Sequence, residues 1–128
     1  KSLCFPASVD SVPTSLGQED HVSMGSISGR KAYQVVQNLE QILGIELLYA
    51  AQGLDFHQPL RSSVLLDACY QLVRSKISHR TSDALFEDDL EVAIKMISEG
   101  KLQQLTDELA ANHQISFKNS THELYGLY

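Results

Sequence analysis

The sequence predicts an all-α protein, a bundle built around one long helix. Three observations carry that prediction. Ala32, Val35, Val36, Leu39, Ile42 and Leu43 recur at the three-and-four spacing of an α-helix. Shorter stretches between residues 62 and 111 repeat the period and are bounded by capping or terminating residues. No two alternating runs read as a convincing strand pair.

Taken in chain order, residues 1–17 hold Pro6 and Pro13 among Ser and Thr without a sustained period, and read as loop. Ser15 and Gln18 have capping-box spacing, which predicts a short helix carrying Glu19 to Met24. Gly25 and Gly29 would each cost about 1 kcal/mol inside a helix relative to Ala, so a break or close packing is expected near them. The long helix is expected from Ser28 to Asp55, roughly 42 Å at 1.5 Å per residue. Between Ile42 and Leu54 apolar residues spread round nearly its whole circumference. Such a helix needs partners on several sides. A central place in a monomeric bundle would supply them, but in so small a chain burial between subunits, or against further parts of the same polypeptide, is the favoured reading.

Phe56 to Arg61, with Pro59 among them, ends that helix because proline cannot donate to the helical ladder. A second helix follows, capped by Ser62 or Ser63, with Leu65, Leu66, Cys69, Leu72, Val73 and Ile77 as its apolar stripe. Arg74, Lys76, His79 and Arg80 collect near its end, where the helix dipole favours positive charge, and the dipole is taken as their explanation. A third helix is expected over Asp88–Glu99, with Leu90, Ala93, Ile94 and Ile97 inward and Glu91 and Lys95 as a supporting pair, ending at Gly100. Leu102, Leu105 and Leu109 predict a fourth from Lys101 to Ala111. The tail HQISFKNSTHELYGLY has no regular period and is expected to be frayed or partner-dependent. The chain thus divides into residues 1–61, a motif loop with the long helix, and residues 62–128, a helical region with an unassigned tail.

Composition narrows the function. The formal charge of −6 comes from 16 acidic and 10 basic residues that are interspersed, with no Lys/Arg cluster to neutralise a row of phosphates. Nucleic acid is not an expected partner. Two cysteines, Cys4 and Cys69, make no disulfide framework and read as reduced thiols in a cytoplasmic protein. No run of about 18 uncharged apolar residues exists, so no membrane span is expected. The N-terminus lacks a signal-peptide core and an initiator Met and reads like the middle of a polypeptide, so the chain is expected to be part of something longer. His21, His57, His79, His113 and His122 show no ligand spacing, and no metal site is expected. There is no phosphate loop, HExxH motif or GxSxG elbow. Tyr33 and Tyr49 are expected to pack on the long helix with their hydroxyls reaching polar partners, and Met24 and Met96 to fill core.

One stretch carries most of the chemistry. Residues 11–25 read SVPTSLGQEDHVSMG, which places Gln18, Glu19, Asp20 and His21 side by side between Gly17 and Gly25. The bare residues allow two readings: an acid/base cluster, or carboxylates stabilised at a helix start with His21 on the surface.

The run from PASVDSVPTS through QEDHVSMGSISGRKA to LGIELLYAAQGLDFHQPLRSS resembles the C-terminal part of histidine ammonia-lyases, in the aromatic amino acid ammonia-lyase superfamily. The resemblance is specific over residues 6–63, looser over 64–100 and absent beyond about residue 102. It implies the all-α ammonia-lyase fold, a homotetramer whose long helices form a shared core, and elimination of ammonia from L-histidine to give urocanate. It also implies an electrophilic methylidene-imidazolone made from an Ala-Ser-Gly of the protein itself. Members acting on phenylalanine or tyrosine usually read Asn-Gln-Asp where this chain reads Gln18-Glu19-Asp20. The resemblance therefore favours histidine, with Glu19 acting on the substrate's ammonium or imidazole, as a binding group or in proton transfer, and Gln18 and His21 as neighbours in substrate binding.

The chain departs from the family in one respect: Ala7-Ser8 is followed by Val9, and Ser28-Gly29 is preceded by Ile27, so no Ala-Ser-Gly is present. The family's tyrosine base and most of its substrate pocket also lie upstream. The chain by itself is expected to be inactive. The rival readings are a non-catalytic helical module for oligomerisation or protein interaction, a regulatory paralogue without the catalytic half, and an ammonia-lyase acting on another aromatic amino acid. The upstream coding sequence separates the first two from an enzyme, because it either contains Ala-Ser-Gly in frame or does not.

Overall fold

A computed structural model describes residues 1–112 of the chain. The architecture is helical, as expected: α1 (Gly25–Phe56), α2 (Val64–Arg74), α3 (Glu87–Ser98) and α4 (Lys101–Asn112) follow a short antiparallel pair, β1 (Pro13–Thr14) and β2 (Glu19–His21). The expectations for residues 113–128 lie outside the described residues. The described residues divide into two compact units, with the boundary between Ile42 and Leu43.

In the first unit, the segment expected to be loop forms 3-10 turns at Ser2–Cys4 and Ala7–Asp10. Lys31 on α1 holds this segment, donating from Nζ to the Phe5 carbonyl at 2.6 Å while its ammonium lies 5.6 Å from the Phe5 ring centroid. The expected short helix over Glu19–Met24 is replaced by the strand pair. Its capping box does not form because Ser15 takes φ 51, whereas an N-cap residue needs extended backbone. The break expected near Gly25 falls at Met24, which takes φ 54 just before α1 begins. Gly29 neither breaks the helix nor marks close packing, since open space surrounds the position of a Cβ there.

The second unit contains the core. Ala51 of α1, Val73 of α2, Ile77 just beyond it, and Ala93 and Met96 of α3 are buried together, with Leu47, Leu48, Tyr70 and Val92 packed against them. Close approach comes instead at Gly44, where a Cβ would stand 2.8 Å from Ile94 Cγ1. Ser63 caps α2 by accepting from the Leu66 amide at 3.4 Å, as the sequence predicts. Gly100, at φ 64, terminates α3 in the left-handed conformation that glycine tolerates. Lys95 lies 3.8 Å from Glu99 rather than forming the expected pair with Glu91.

The basic residues after α2 are more than complements to a dipole. Arg74 Nη2 donates to Asp55 Oδ2 at 2.6 Å, His79 Nδ1 lies 2.8 Å from the same oxygen, and Tyr70 Oη donates to Asp55 Oδ1 at 2.5 Å. Arg80 pairs with Asp89 at 2.9 Å. Burial pushes the Asp55 carboxyl up, but hydrogen bonds from Tyr70, His79 and Arg74, together with the Arg74 charge, outweigh it and hold the group below the usual carboxylate range. The end of α1 is thereby tied to α2 and to the turn after it.

The apolar circumference of α1 is only partly used. Val35, Val36, Leu39 and Ile42 stand exposed in the first unit, and Leu43, Ile45 and Tyr49 in the second. Tyr33 and Tyr49, expected to pack, are 66% and 77% exposed. Cys4 and Cys69 are free thiols. No described helix is long and apolar enough to cross a membrane.

Candidate functional site

The QEDH stretch is carried by the β1–β2 hairpin. Pro13 pairs with His21 and Thr14 with Glu19, so two residues of β1 face three of β2 and the register contains a bulge with Asp20 as the extra residue. Bulges redirect side chains, and they recur beside active sites for that reason. At the tip, Ser15, Leu16 and Gly17 take φ values of 51, 57 and 84, a run of left-handed backbone that turns the chain within three residues. Only glycine occupies this region without a steric penalty, so the turn depends on tertiary hydrogen bonds to persist.

Those bonds close the base of the hairpin. The Val22 amide donates to the Val12 carbonyl at 3.2 Å, and the Ser11 hydroxyl donates to the Val22 carbonyl at 2.7 Å. The Gln18 amide donates back to Ser15 at 3.1 Å, closing the tip. Gln18, Glu19 and His21 are all exposed, and the Thr14 hydroxyl lies 3.4 Å from Glu19 Oε2. The structure thus brings the three predicted site residues onto one hairpin. Sequence reasoning missed Ser11 and Thr14, because residues five and eleven positions from their partners meet only once a hairpin is recognised. The signal available was Pro13 with Gly17, a pair of turn residues read instead as loop.

A cavity of about 490 Å³ lies elsewhere, in the second unit, lined by apolar residues such as Ile45, Leu48, Ile77, Phe86 and Leu90 and by polar ones that include Gln52, Arg74, Arg80, Thr81 and Asp83. Gln18, Glu19 and His21 do not line it, and both arginines are committed to carboxylates, Asp55 and Asp89. It holds none of the predicted site residues and is not the candidate site. Among the described residues no group of three or more His, Cys, Asp or Glu could hold a metal ion.

Three comparisons bear on this arrangement. Residues 1–75 match the model of the aromatic amino acid lyase family. The histidine ammonia-lyase of Natranaerobius thermophilus is 48% identical over 102 residues, which cover 80% of this chain and 20% of that protein. That of Caenorhabditis elegans is 46% identical over 80% of this chain and 15% of its own length. Among solved structures, histidine ammonia-lyase from Trypanosoma cruzi superposes with a TM-score of 0.78 at 41% identity, over 84% of this chain and 21% of that one. Tyrosine aminomutase from Streptomyces globisporus gives 0.73 at 35% identity, over 80% and 20%. The chain therefore spans about one fifth of the length of the relatives it matches. The hairpin, the long helix that follows it and the proline turn all lie within the matched residues, and the chain belongs to the aromatic amino acid lyase family.

Proposed function

We propose that this chain is the C-terminal part of a histidine ammonia-lyase, whose whole polypeptide eliminates ammonia from L-histidine to give urocanate. The observation that carries the reading is the 48% identity to a histidine ammonia-lyase over 102 residues, and Gln18-Glu19-Asp20-His21 lie within the residues 1–75 that match the aromatic amino acid lyase model. Residues 1–61 then supply the motif loop and long helix of the lyase core, and residues 62–128 its C-terminal helical region. The protein works in the cytoplasm as a homotetramer, and the exposed apolar residues of α1 support such an assembly.

The difficulty of the reaction lies in a weakly acidic C–H proton and a poor amine leaving group, so both ends of the substrate need help. Glu19 contributes a carboxylate that pairs with the substrate's ammonium or imidazole, which a neutral amide at the same place would hold more weakly. Gln18 and His21 stand beside it on the hairpin and orient the bound molecule. In this family a methylidene-imidazolone supplies the electrophile. The residues present here do not fit that group, because neither Ala7-Ser8-Val9 nor Ile27-Ser28-Gly29 is the Ala-Ser-Gly that generates it. The purified 128-residue chain is accordingly expected to release no ammonia from L-histidine.

Replacing Glu19 by Gln in the whole polypeptide tests the reading. Histidine turnover should fall by about two orders of magnitude while the melting temperature stays unchanged, since Glu19 is exposed and outside the core. Equal turnover by the two proteins removes Glu19 from the account.

A further inference from the structure

The hairpin does more than display Glu19. A glutamate side chain on an exposed strand has three rotatable bonds, and freezing it when a substrate binds costs conformational entropy. Part of that cost can be met in advance by a neighbour that hydrogen-bonds one carboxylate oxygen and leaves the other for the ligand. Thr14 stands in that place. It is the cross-strand partner of Glu19 in the β1–β2 register, and its Oγ1 lies 3.4 Å from Oε2 as donor. The contact is long, as catalytic hydrogen bonds often are before substrate is bound, when they have yet to tighten. Its backbone frame is well held: the bulge at Asp20, the left-handed tip from Ser15 to Gly17, and the 2.7 Å bond from Ser11 to Val22 together set the height and twist of the two strands.

We infer that Thr14 is a positioning residue for Glu19: its hydroxyl holds Oε2 and presets the carboxylate for the nitrogenous group of the substrate. The inference rests on the lyase reading for its consequence in turnover, and on the hairpin geometry for the contact. The methyl group of Thr14 is incidental to the role. The hydroxyl is essential to it.

Thr14→Val keeps the shape and the strand propensity and deletes the donor, whereas Thr14→Ser keeps the donor. In the whole polypeptide, Thr14→Val should lower kcat about tenfold with KM changed by less than about twofold, and Thr14→Ser should stay near the parent activity. Because Thr14 acts through Glu19, Thr14→Val should cost almost nothing further in a Glu19→Gln background. In the 128-residue chain, the carbon-13 signal of the Glu19 side-chain carboxylate should move on Thr14→Val and not on Thr14→Ser. Equal losses for Val and Ser, or a full tenfold loss persisting in the Glu19→Gln background, overturn the inference in favour of a purely structural role. An unmoved carboxylate signal overturns the contact itself. A signal that moves as expected, in a polypeptide that never turns over histidine, sustains the contact and overturns the lyase reading instead.

Discussion

The β1–β2 hairpin and the Asp55 cluster hold ionisable groups in opposite ways. On the hairpin, Glu19 and His21 are exposed and are placed by backbone geometry: a bulge, a left-handed tip and a hydroxyl at the base. At the end of α1, Asp55 is only 12% exposed and is placed by side chains, with Arg74, Tyr70 and His79 converging on its two oxygens. Asp55 has a displaced pKa, while the residues proposed to act on substrate sit on the exposed hairpin. Perturbed titration marks functional sites often, but structural ion-pair clusters perturb it too, and here the cluster is structural. An exposed carboxylate becomes a working one only when the remainder of an assembled pocket encloses it.

Substitutions can break this division of labour. The largest expected effect is the Glu19→Gln loss of turnover, with no matching loss of stability, and a fall in melting temperature with that substitution would move Glu19 into the structural class. Ile77→Ala should destabilise the second unit by about 2–4 kcal/mol, since Ile77 is 2% exposed and its removal leaves a cavity against Ala51, Val73 and Met96. Urea unfolding of the pair measures it, and a midpoint unchanged from the parent would contradict the assigned core. Asp55→Ala should cost about 2–3 kcal/mol by leaving the Arg74 guanidinium half-partnered, and Asp55→Asn somewhat less.

The pH dependence sharpens the same contrast. Because the folded Asp55 carboxyl lies below its ordinary value, its contribution is fully present above the unfolded pKa, near 3.8, and is lost as pH falls through the lower folded value. Stability measured from pH 6 down to pH 2 should therefore decline more steeply in the parent than in Asp55→Asn. Coincident curves would show the cluster to be energetically neutral. The smallest effect belongs to Gly29→Ala, which should stabilise α1 by about 0.5–1 kcal/mol, because a Cβ there meets open space in mid-helix. A destabilised variant would show that Gly29 is packed closely in the whole protein.

The helices were legible because their signals are local. The period of Ala32 to Leu43, the Ser63 cap, Gly100 at a left-handed end and the Leu102-Leu105-Leu109 stripe each specify an element from within one or two turns, and all four helices appear within a few residues of expectation. Glu19 and its neighbours were legible through the resemblance to ammonia-lyases alone, since an acidic pair beside a histidine is common chemistry. The hairpin that carries them was not. Its strands are two and three residues long, too short for alternation to show, and the Ser15–Gln18 spacing imitates a capping box that left-handed backbone at Ser15 forbids.

By itself the sequence determined the four helices, their boundaries and the family, because side-chain periodicity, capping and motif order are properties of neighbouring residues. Tertiary structure decided what the charges do. Asp55 and Arg74 are 19 positions apart, Ser11 and Val22 are 11 apart, and Gly44 meets Ile94 from a different helix. Contacts of that separation carry no local signature, since they exist only after burial and hydrogen bonding have offset the entropy of bringing distant segments together.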